Sequence, residues 1–243
     1  MKILIVGASG ATGRLLVEQL LNRDQKVKII VRSDESLSES VKKHKNLEIT
    51  RASLLDLSDS ELGHQVKGID AIASCLGHNI TFKGLFGHPR KLVTDATRRL
   101  CEAVKANNSN KTVKFVLMNT TGNRNHDLNE PISFAEKVVI GLIRLLLPPQ
   151  SDNEKASDYL RIKIGRSDDN IEWSVVRPDG LIDENKVTKY QVYPSTIRSA
   201  IFNAGKTSRI NVGHFMAELI TDSEVWNKWK GQMPVIYNKD TSE

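Results

Sequence analysis

The sequence predicts a doubly wound α/β fold: a mostly parallel sheet with helices on both faces and a small irregular addition on its C-terminal side. Strand-like runs that are apolar throughout alternate with amphipathic helical stretches, the reading expected of strands covered on both faces by crossover helices. The first run passes straight into three glycines, Gly7, Gly10 and Gly13, and from them into a helix. At 243 residues the chain can bury a substantial core without disulfide or metal, and 1–243 is read as a single domain.

Taken in order, Lys2–Val6 is the first strand and Ala11 to Asn22 the first helix. Lys26-Val-Lys-Ile-Ile-Val-Arg32 is the second strand, rich in β-branched residues. A polar stretch of Ser, Glu and Lys leads to a third strand, Leu47 to Ser53, and Asp56 to Val66 is a short helix. Ala71 to Leu76 is the fourth strand, Arg90 to Ala106 a long helix, Lys114 to Thr120 the fifth strand and Glu172 to Arg177 the sixth. Arg209 to Val212 reads as a short extended piece before a helix from His214 to Trp229, and Pro234 to Tyr237 as a last edge strand.

Two stretches depart from the alternation. The loop Asn79 to Pro89 follows the fourth strand and carries Phe82 and Phe86. Loops at strand C-termini line the ligand crevice of such sheets, so it either faces a ligand or packs its own aromatics. Phe134 to Leu147 is apolar on nearly every side and closed by Pro148-Pro149. It falls short of the ~18 residues of a membrane span and contains Arg144. A helix apolar all round must be buried. A core helix is the default reading; a substrate lid, or a contact with a second copy or a protein partner through 134–147, are the others.

The glycine run carries the strongest chemical signal. In Gly7-Ala-Ser9-Gly10-Ala11-Thr12-Gly13 the first glycine permits a tight turn out of the strand. The second removes the Cβ that would hold a pyrophosphate off the backbone, and the third lets helix and strand pack closely. Free N–H groups and the positive dipole end of the helix then favour a diphosphate. The spacing is G-x-x-G-x-x-G rather than the common G-x-G-x-x-G, and the expected ligand is a dinucleotide. The second strand ends in Arg32-Ser33, where an Asp or Glu would bind the ribose 2′-hydroxyl of NAD; an arginine accommodates the 2′-phosphate of NADP. NADP (NADPH) is therefore expected over NAD, with Arg14 as a helper.

Composition narrows the classes. The formal charge of +6 comes from scattered basic residues with few aromatics among them, so a solvated basic surface is expected rather than a nucleic-acid interface. Cys75 and Cys101 form no C-x-x-C pair, and the six histidines are isolated; neither a disulfide framework nor a metal site is expected. His78 is the histidine nearest the crevice and reads as a loop residue. With a strand starting at residue 2, no leader segment is expected and the cytoplasm is the expected compartment.

These pieces together resemble the atypical short-chain dehydrogenase/reductases, the NmrA-like and biliverdin-reductase-B-like NAD(P)-binding proteins. The matching motifs are Gly7 to Gly13, Val31-Arg-Ser33, Ala52-Ser-Leu-Leu-Asp56, Ser74-Cys-Leu-Gly77, Met118-Asn-Thr-Thr-Gly122 and Trp173 to Leu181. The resemblance implies a Rossmann fold. It implies that Ser53, Leu54 and Asp56 border the adenine, although Asp56 could instead cap the following helix. Cys75, Leu76 and Gly77 would line the adenosine ribose and diphosphate. Met118, Asn119 and Thr120 would approach the nicotinamide ribose, with Pro178 flanking the nicotinamide. Residues 123–170 and 181–208 would form a small substrate-side lobe.

Catalytic relatives use a Tyr-x-x-x-Lys pair with a Ser or Thr at the end of strand five. Tyr159-Leu-Arg-Ile-Lys163 and Thr120 are the candidates here, although Tyr159 precedes Pro178 by fewer residues than in those relatives, and Glu154 and Asp158 fall nearer the expected positions. The alternative for Tyr159 and Lys163 is ordinary helix packing. Biliverdin-reductase-B-like members need no such pair and rely on positioning the acceptor beside the hydride. The leading expectation is an oxidoreductase passing hydride from NADPH to an apolar or aromatic acceptor, a flavin, quinone or carbonyl compound. A non-catalytic NADP(H)-sensing protein of the NmrA type is the alternative. A nucleotide-sugar epimerase ranks third, because the chain after Gly180 is short for a sugar-binding lobe.

Overall fold

The computed structural model describes residues 1–78, 87–107, 111–128, 130 and 133–239, with the backbone alone at 145 and 146. Its centre is an eight-stranded sheet. The strands are β1 (Lys2–Val6), β2 (Lys26–Val31), β3 (Leu47–Arg51), β4 (Ala71–Ser74), β5 (Val113–Met118), β6 (Ile171–Pro178), β8 (Tyr190–Tyr193) and β10 (Val235–Asn238). Their spatial order is β3-β2-β1-β4-β5-β6-β10-β8, parallel except where β8 runs antiparallel to β10. Two short strands, β7 (Gly180–Ile182) and β9 (Lys206–Ser208), pair beside it. This is the doubly wound Rossmann arrangement, with a reversal of winding between β1 and β4.

Helices α1 (Ala11–Leu21), α2 (Glu39–Lys42), α3 (Asp59–Val66), α4 (Leu92–Ala106), α5 (Phe134–Leu146), α6 (Pro148–Asp158), α7 (Arg209–Thr221) and α8 (Ser223–Trp229) complete it. Successive side chains of a strand point to opposite faces, and β1 shows the consequence. Ile3 and Ile5 join Leu16, Leu20, Phe215 and Met216 in one core, whereas Leu4 and Val6 join Leu62, Leu100, Phe115 and Leu160 in the other. Each such side chain contributes about 1.5–3 kcal/mol by leaving water, which is why the strands are apolar without alternation.

Several expectations are corrected. Arg209 to Val212 is the first turn of α7, not extended chain. The Ser208 hydroxyl accepts the Asn211 N–H at 3.3 Å and starts the helix there. The helix expected over 214–229 is two, divided at Asp222, whose carboxylate caps α8 through the Glu224 and Val225 N–H groups. The last strand is internal, because Tyr190–Tyr193 adds an edge outside it. Asp56 caps nothing: α3 begins at Asp59 with a reciprocal box between Ser58 and Glu61.

The apolar stretch 134–147 is not a core helix. Ile140 turns inward, but Phe134 is 82 % exposed, and Val138 and Leu142, one and two turns along, are exposed with it. Pro148 and Pro149 end this helix by opening the next, at whose first positions their missing N–H groups cost nothing. Among the described residues no helix is long and apolar enough to cross a membrane, and no cluster of metal-ligating side chains occurs.

Candidate functional site

The residues singled out from the sequence converge, with two exceptions, on the carboxyl edge of the sheet. Gly7 leaves β1 with φ +74°, and a Cβ there would lie 2.5 Å from the Cys75 carbonyl oxygen and 2.6 Å from the Leu76 nitrogen. What forbids a side chain is thus the chain leaving β4. A Cβ on Gly13 would stand 2.9 Å from Ala8 Cα and closer still to the Gly7 oxygen, so α1 rests directly on the turn. Gly10 is different. It is exposed, its φ of −74° suits any residue, and its own Cβ would meet only the Gly7 oxygen at 3.2 Å. Its N–H donates to Gly7 O at 3.1 Å, and it heads α1 without a side-chain cap.

Helix α6 shares that bare start, but it opens on Pro148 and Pro149, which have no N–H to offer a ligand. Helices α2, α3, α5, α7 and α8 are each capped by the serine or aspartate before them. Helix α4 receives the Asp152 carboxylate on the Val93 and Thr94 N–H groups, at 2.8 and 2.9 Å. At α1 the first-turn amides of Ala11, Thr12 and Gly13 have no side-chain acceptor, and Ser9 is tied by its carbonyl to the Ser36 hydroxyl at 2.9 Å. Free first-turn amides at the positive end of a helix can accept a phosphate group.

The neighbouring strand ends complete the edge. Arg32 and Ser33 are exposed after β2, and Arg14 is exposed on α1; neither arginine has an ion pair among the described residues. The nearest acid in sequence, Asp34, is occupied by a two-pronged bond to Arg51, at 3.1 and 2.7 Å, which holds its carboxyl below the ordinary range. Beyond β3, Ser53 to Asp56 forms a turn with Leu54 buried, and the carbonyls of Leu54 and Leu55 accept the Arg99 guanidinium. Cys75 and Leu76 are half-buried beside Gly7, and Gly77 is exposed. Burial pushes the Cys75 thiol up to about 12.

Met118 ends β5, and Asn119 and Thr120 follow it beside the end of β6; Thr121 N–H donates to the Pro178 carbonyl at 3.1 Å. The Asn119 side chain is committed to structure, accepting from Thr120 N–H and donating to Asn153 O at 2.8 Å. Asp179 is buried and receives the Thr121 hydroxyl and the Gly180 and Gly205 amides. Burial nevertheless outweighs those donors, and its carboxyl sits above the ordinary range.

Tyr159 and Lys163 are the exceptions, lying beyond the end of α6. Helix α6 starts at the carboxyl edge, where Asn153 meets Asn119, and runs away from it. Tyr159 lies seven residues past Asp152, about 10 Å at 1.5 Å per residue. There the chain enters a π-helical turn over Tyr159–Ile164. Tyr159 packs into the core on the α4 side, where burial and the nearby Cys101 and Glu102 push its hydroxyl up to about 12, while Lys163 is exposed. Glu154 and Asp158 are engaged by Arg144 and Arg161.

The edge instead holds a couple the sequence did not mark. His78 Nε2 lies 2.8 Å from the Asp152 carboxylate, with the two side chains 5 % and 1 % exposed. Burial alone would raise the Asp152 carboxyl; His78 and the α4 amides more than offset it and hold it low. No periodicity distinguishes Asp152 inside Gln150-Ser-Asp-Asn153, so only the tertiary contact finds it. A second buried couple, Arg177 with Glu130 at 2.6 Å, ties β6 to the 123–130 segment. Phe82 and Phe86, expected beside the crevice, lie outside the described residues.

The comparisons agree with this geometry. The sequence profile of the NAD(P)H-binding family matches residues 7–223. No curated protein matches the chain. Among solved structures, an oxidoreductase from Lactococcus lactis superposes with a TM-score of 0.69 at 17% identity, over 98% of this chain and 91% of that one. A short-chain dehydrogenase/reductase from Veillonella parvula, solved with NADP, gives 0.70 at 14% identity over 100% and 96%. A Streptococcus pneumoniae protein provisionally described as an NADH-flavin reductase gives 0.64 at 19% identity over 98% and 100%. At such identities the superpositions speak for the fold.

Proposed function

The chain belongs to the NAD(P)H-binding family, and on that premise we propose that it is an NADP-preferring oxidoreductase passing hydride to an apolar or aromatic acceptor, a flavin, quinone or carbonyl compound. The observation that carries the cofactor is the uncapped first turn of α1 behind Gly7 and Gly10. The residues present suit the group. The amides of Ala11 to Gly13 would hold the diphosphate, Ser53, Leu54 and Asp56 would border the adenine, and Cys75 to Gly77 would line the adenosine side. Met118 to Thr120 and Pro178 would flank the nicotinamide end. When bound, the cofactor supplies hydride; these residues orient it and exclude water from its inner face.

The preference for NADP rests on Arg32, Ser33 and Arg14, exposed cations and a hydroxyl with no competing carboxylate. Arg32→Asp is expected to weaken NADPH by about tenfold or more, the worth of one charge-assisted bond, and to leave NADH unchanged or tighter. Titration of both nucleotides checks it; equal losses for the two contradict the assignment. The free thiols of Cys75 and Cys101 support work in a reducing compartment such as the cytoplasm.

One observation favours a second reading, an NADP(H)-sensing protein that does not turn over: Tyr159 follows the far end of α6, whose start meets Asn119, and packs against the core, with Lys163 exposed. Tyr159→Phe is expected to leave NADPH affinity and any NADPH oxidation unchanged, and a loss of oxidation would restore the Tyr159–Lys163 pair. Offering flavins, quinones and carbonyl compounds to the NADPH-loaded protein separates the readings. Oxidation with any of them supports the reductase; tight NADPH binding with none oxidised supports the sensor.

A further inference from the structure

We propose that the cavity between Thr121, Arg124, Glu136 and Ile140 on one side and residues 196–200 on the other binds a small carboxylic acid with a hydrogen-bond donor beside its carboxylate and an apolar body, as in a branched hydroxy acid. As the seat of the second substrate this rests on the nucleotide reading above; as a binding site it stands without it. The cavity holds about 220 Å³ and begins at Thr121, one residue past Thr120 at the end of β5. That is room for a small acid.

Two unmatched charges face this space. The Arg124 guanidinium is anchored by a single bond to the Glu130 carbonyl; its Nε is buried without a partner, and no carboxylate pairs with it among the described residues. Glu136, nearly buried on α5, accepts the Ser199 hydroxyl at 2.8 Å and likewise has no cation. The other acid on the wall, Glu130, is spent on Arg177, with bonds of 2.6 and 2.9 Å. Arg198 has an interaction of its own. Ile140 and Ile197 supply the apolar wall.

A buried donor left unbonded and an unpaired buried charge are both costly. Here one of each sign shares a small cavity without bonding to the other. A carboxylate on Arg124, whose planar fork suits it, and an adjacent hydroxyl on Glu136 would satisfy both at once. The apolar body would lie on the two isoleucines.

The test is calorimetric titration of the NADP⁺-loaded protein with 2-hydroxy-3-methylbutanoate, its methyl ester and 2-oxo-3-methylbutanoate. The hydroxy acid is expected to bind best, the ester at least about tenfold more weakly, and the oxo acid between them. Arg124→Gln is expected to weaken the acid about 10–100-fold and to bring acid and ester level. Arg124→Lys recovers part of that loss and carries the test should the glutamine variant not melt cooperatively. Glu136→Gln removes the preference for hydroxy over oxo acid while keeping that for acid over ester. The inference is overturned if neither acid binds, if Arg124→Gln binds the acid as the wild type does, or if Glu136→Gln keeps the hydroxy preference. A wild type without an NADPH melting shift counts against the cofactor reading alone, and the same titrations on unloaded protein then decide the cavity.

Discussion

A Gly10→Ala variant is expected to fold and to lose most of its NADPH affinity, whereas Gly13→Ala is expected to lose much of its stability. The two glycines stand three residues apart for different physical reasons. At Gly10 a methyl group fits the backbone conformation and meets only the Gly7 oxygen, at 3.2 Å. It projects at the open, uncapped start of α1, where a diphosphate must come within hydrogen-bond distance of the amides. Losing one charge-assisted bond there costs about 1.5–3 kcal/mol, roughly 10–100-fold in affinity. At Gly13 the methyl group runs into the Gly7 carbonyl and Ala8 Cα, backbone that cannot rotate away. Overpacking of that kind costs about 3 kcal/mol at the upper end of its usual range, some 6–12 °C in Tm for a chain this size. Thermal melts with and without NADPH separate the two effects. A Gly10→Ala protein that keeps its full melting shift would remove the reason given for that glycine.

The second large effect concerns the ion pair behind the cavity. Arg177 is fully buried and gives its guanidinium to Glu130, Met233 O and Asn123 O. Glu130 also accepts Asn125 N–H and the Ser195 hydroxyl. Arg177→Met strands the carboxylate in the interior, a loss of about 3–5 kcal/mol or some 6–20 °C in Tm. The double variant with Glu130→Gln is expected to recover part of it, since the stranded charge is then gone. The pH dependence distinguishes this from simple loss of packing. Burial would raise the Glu130 carboxyl, but Arg177 outweighs it and holds the group below its ordinary value. The pair therefore stabilises the wild type above the unfolded carboxyl value near ~4.3 and loses that contribution as pH falls through the lower folded value. In Arg177→Met the lone buried carboxyl prefers its proton, so the gap in Tm between variant and wild type should narrow from pH 7 toward pH 4. A constant gap would mean that the pair's charge does not matter.

The turn and strand ends at the carboxyl edge were legible because their signals are local. The turn at Gly7 to Gly13, Arg32 at the exit of β2 and the apolar runs of β1, β2, β4 and β5 each announce themselves within a few residues. What was misread depended on partners far along the chain. The Phe134–Leu146 helix looks like core because its composition is apolar, yet no layer covers its Phe134, Val138 and Leu142 side. The antiparallel edge Tyr190–Tyr193 is four half-exposed or exposed residues whose pairing with β10 spans more than forty positions.

By itself, then, the sequence determined a parallel sheet with helices on both faces and a glycine turn at the head of α1. Apolar periodicity and glycine stereochemistry act over one or two turns of chain. Only the tertiary structure decided which charges are matched. Asp152 serves a helix start and a histidine 58 and 74 residues away, and Arg177 neutralises Glu130 across 47. Arg124 and Glu136 are left facing the same small space. Burial and pairing of a charge depend on what the rest of the fold brings within a few ångströms, and no local pattern records that.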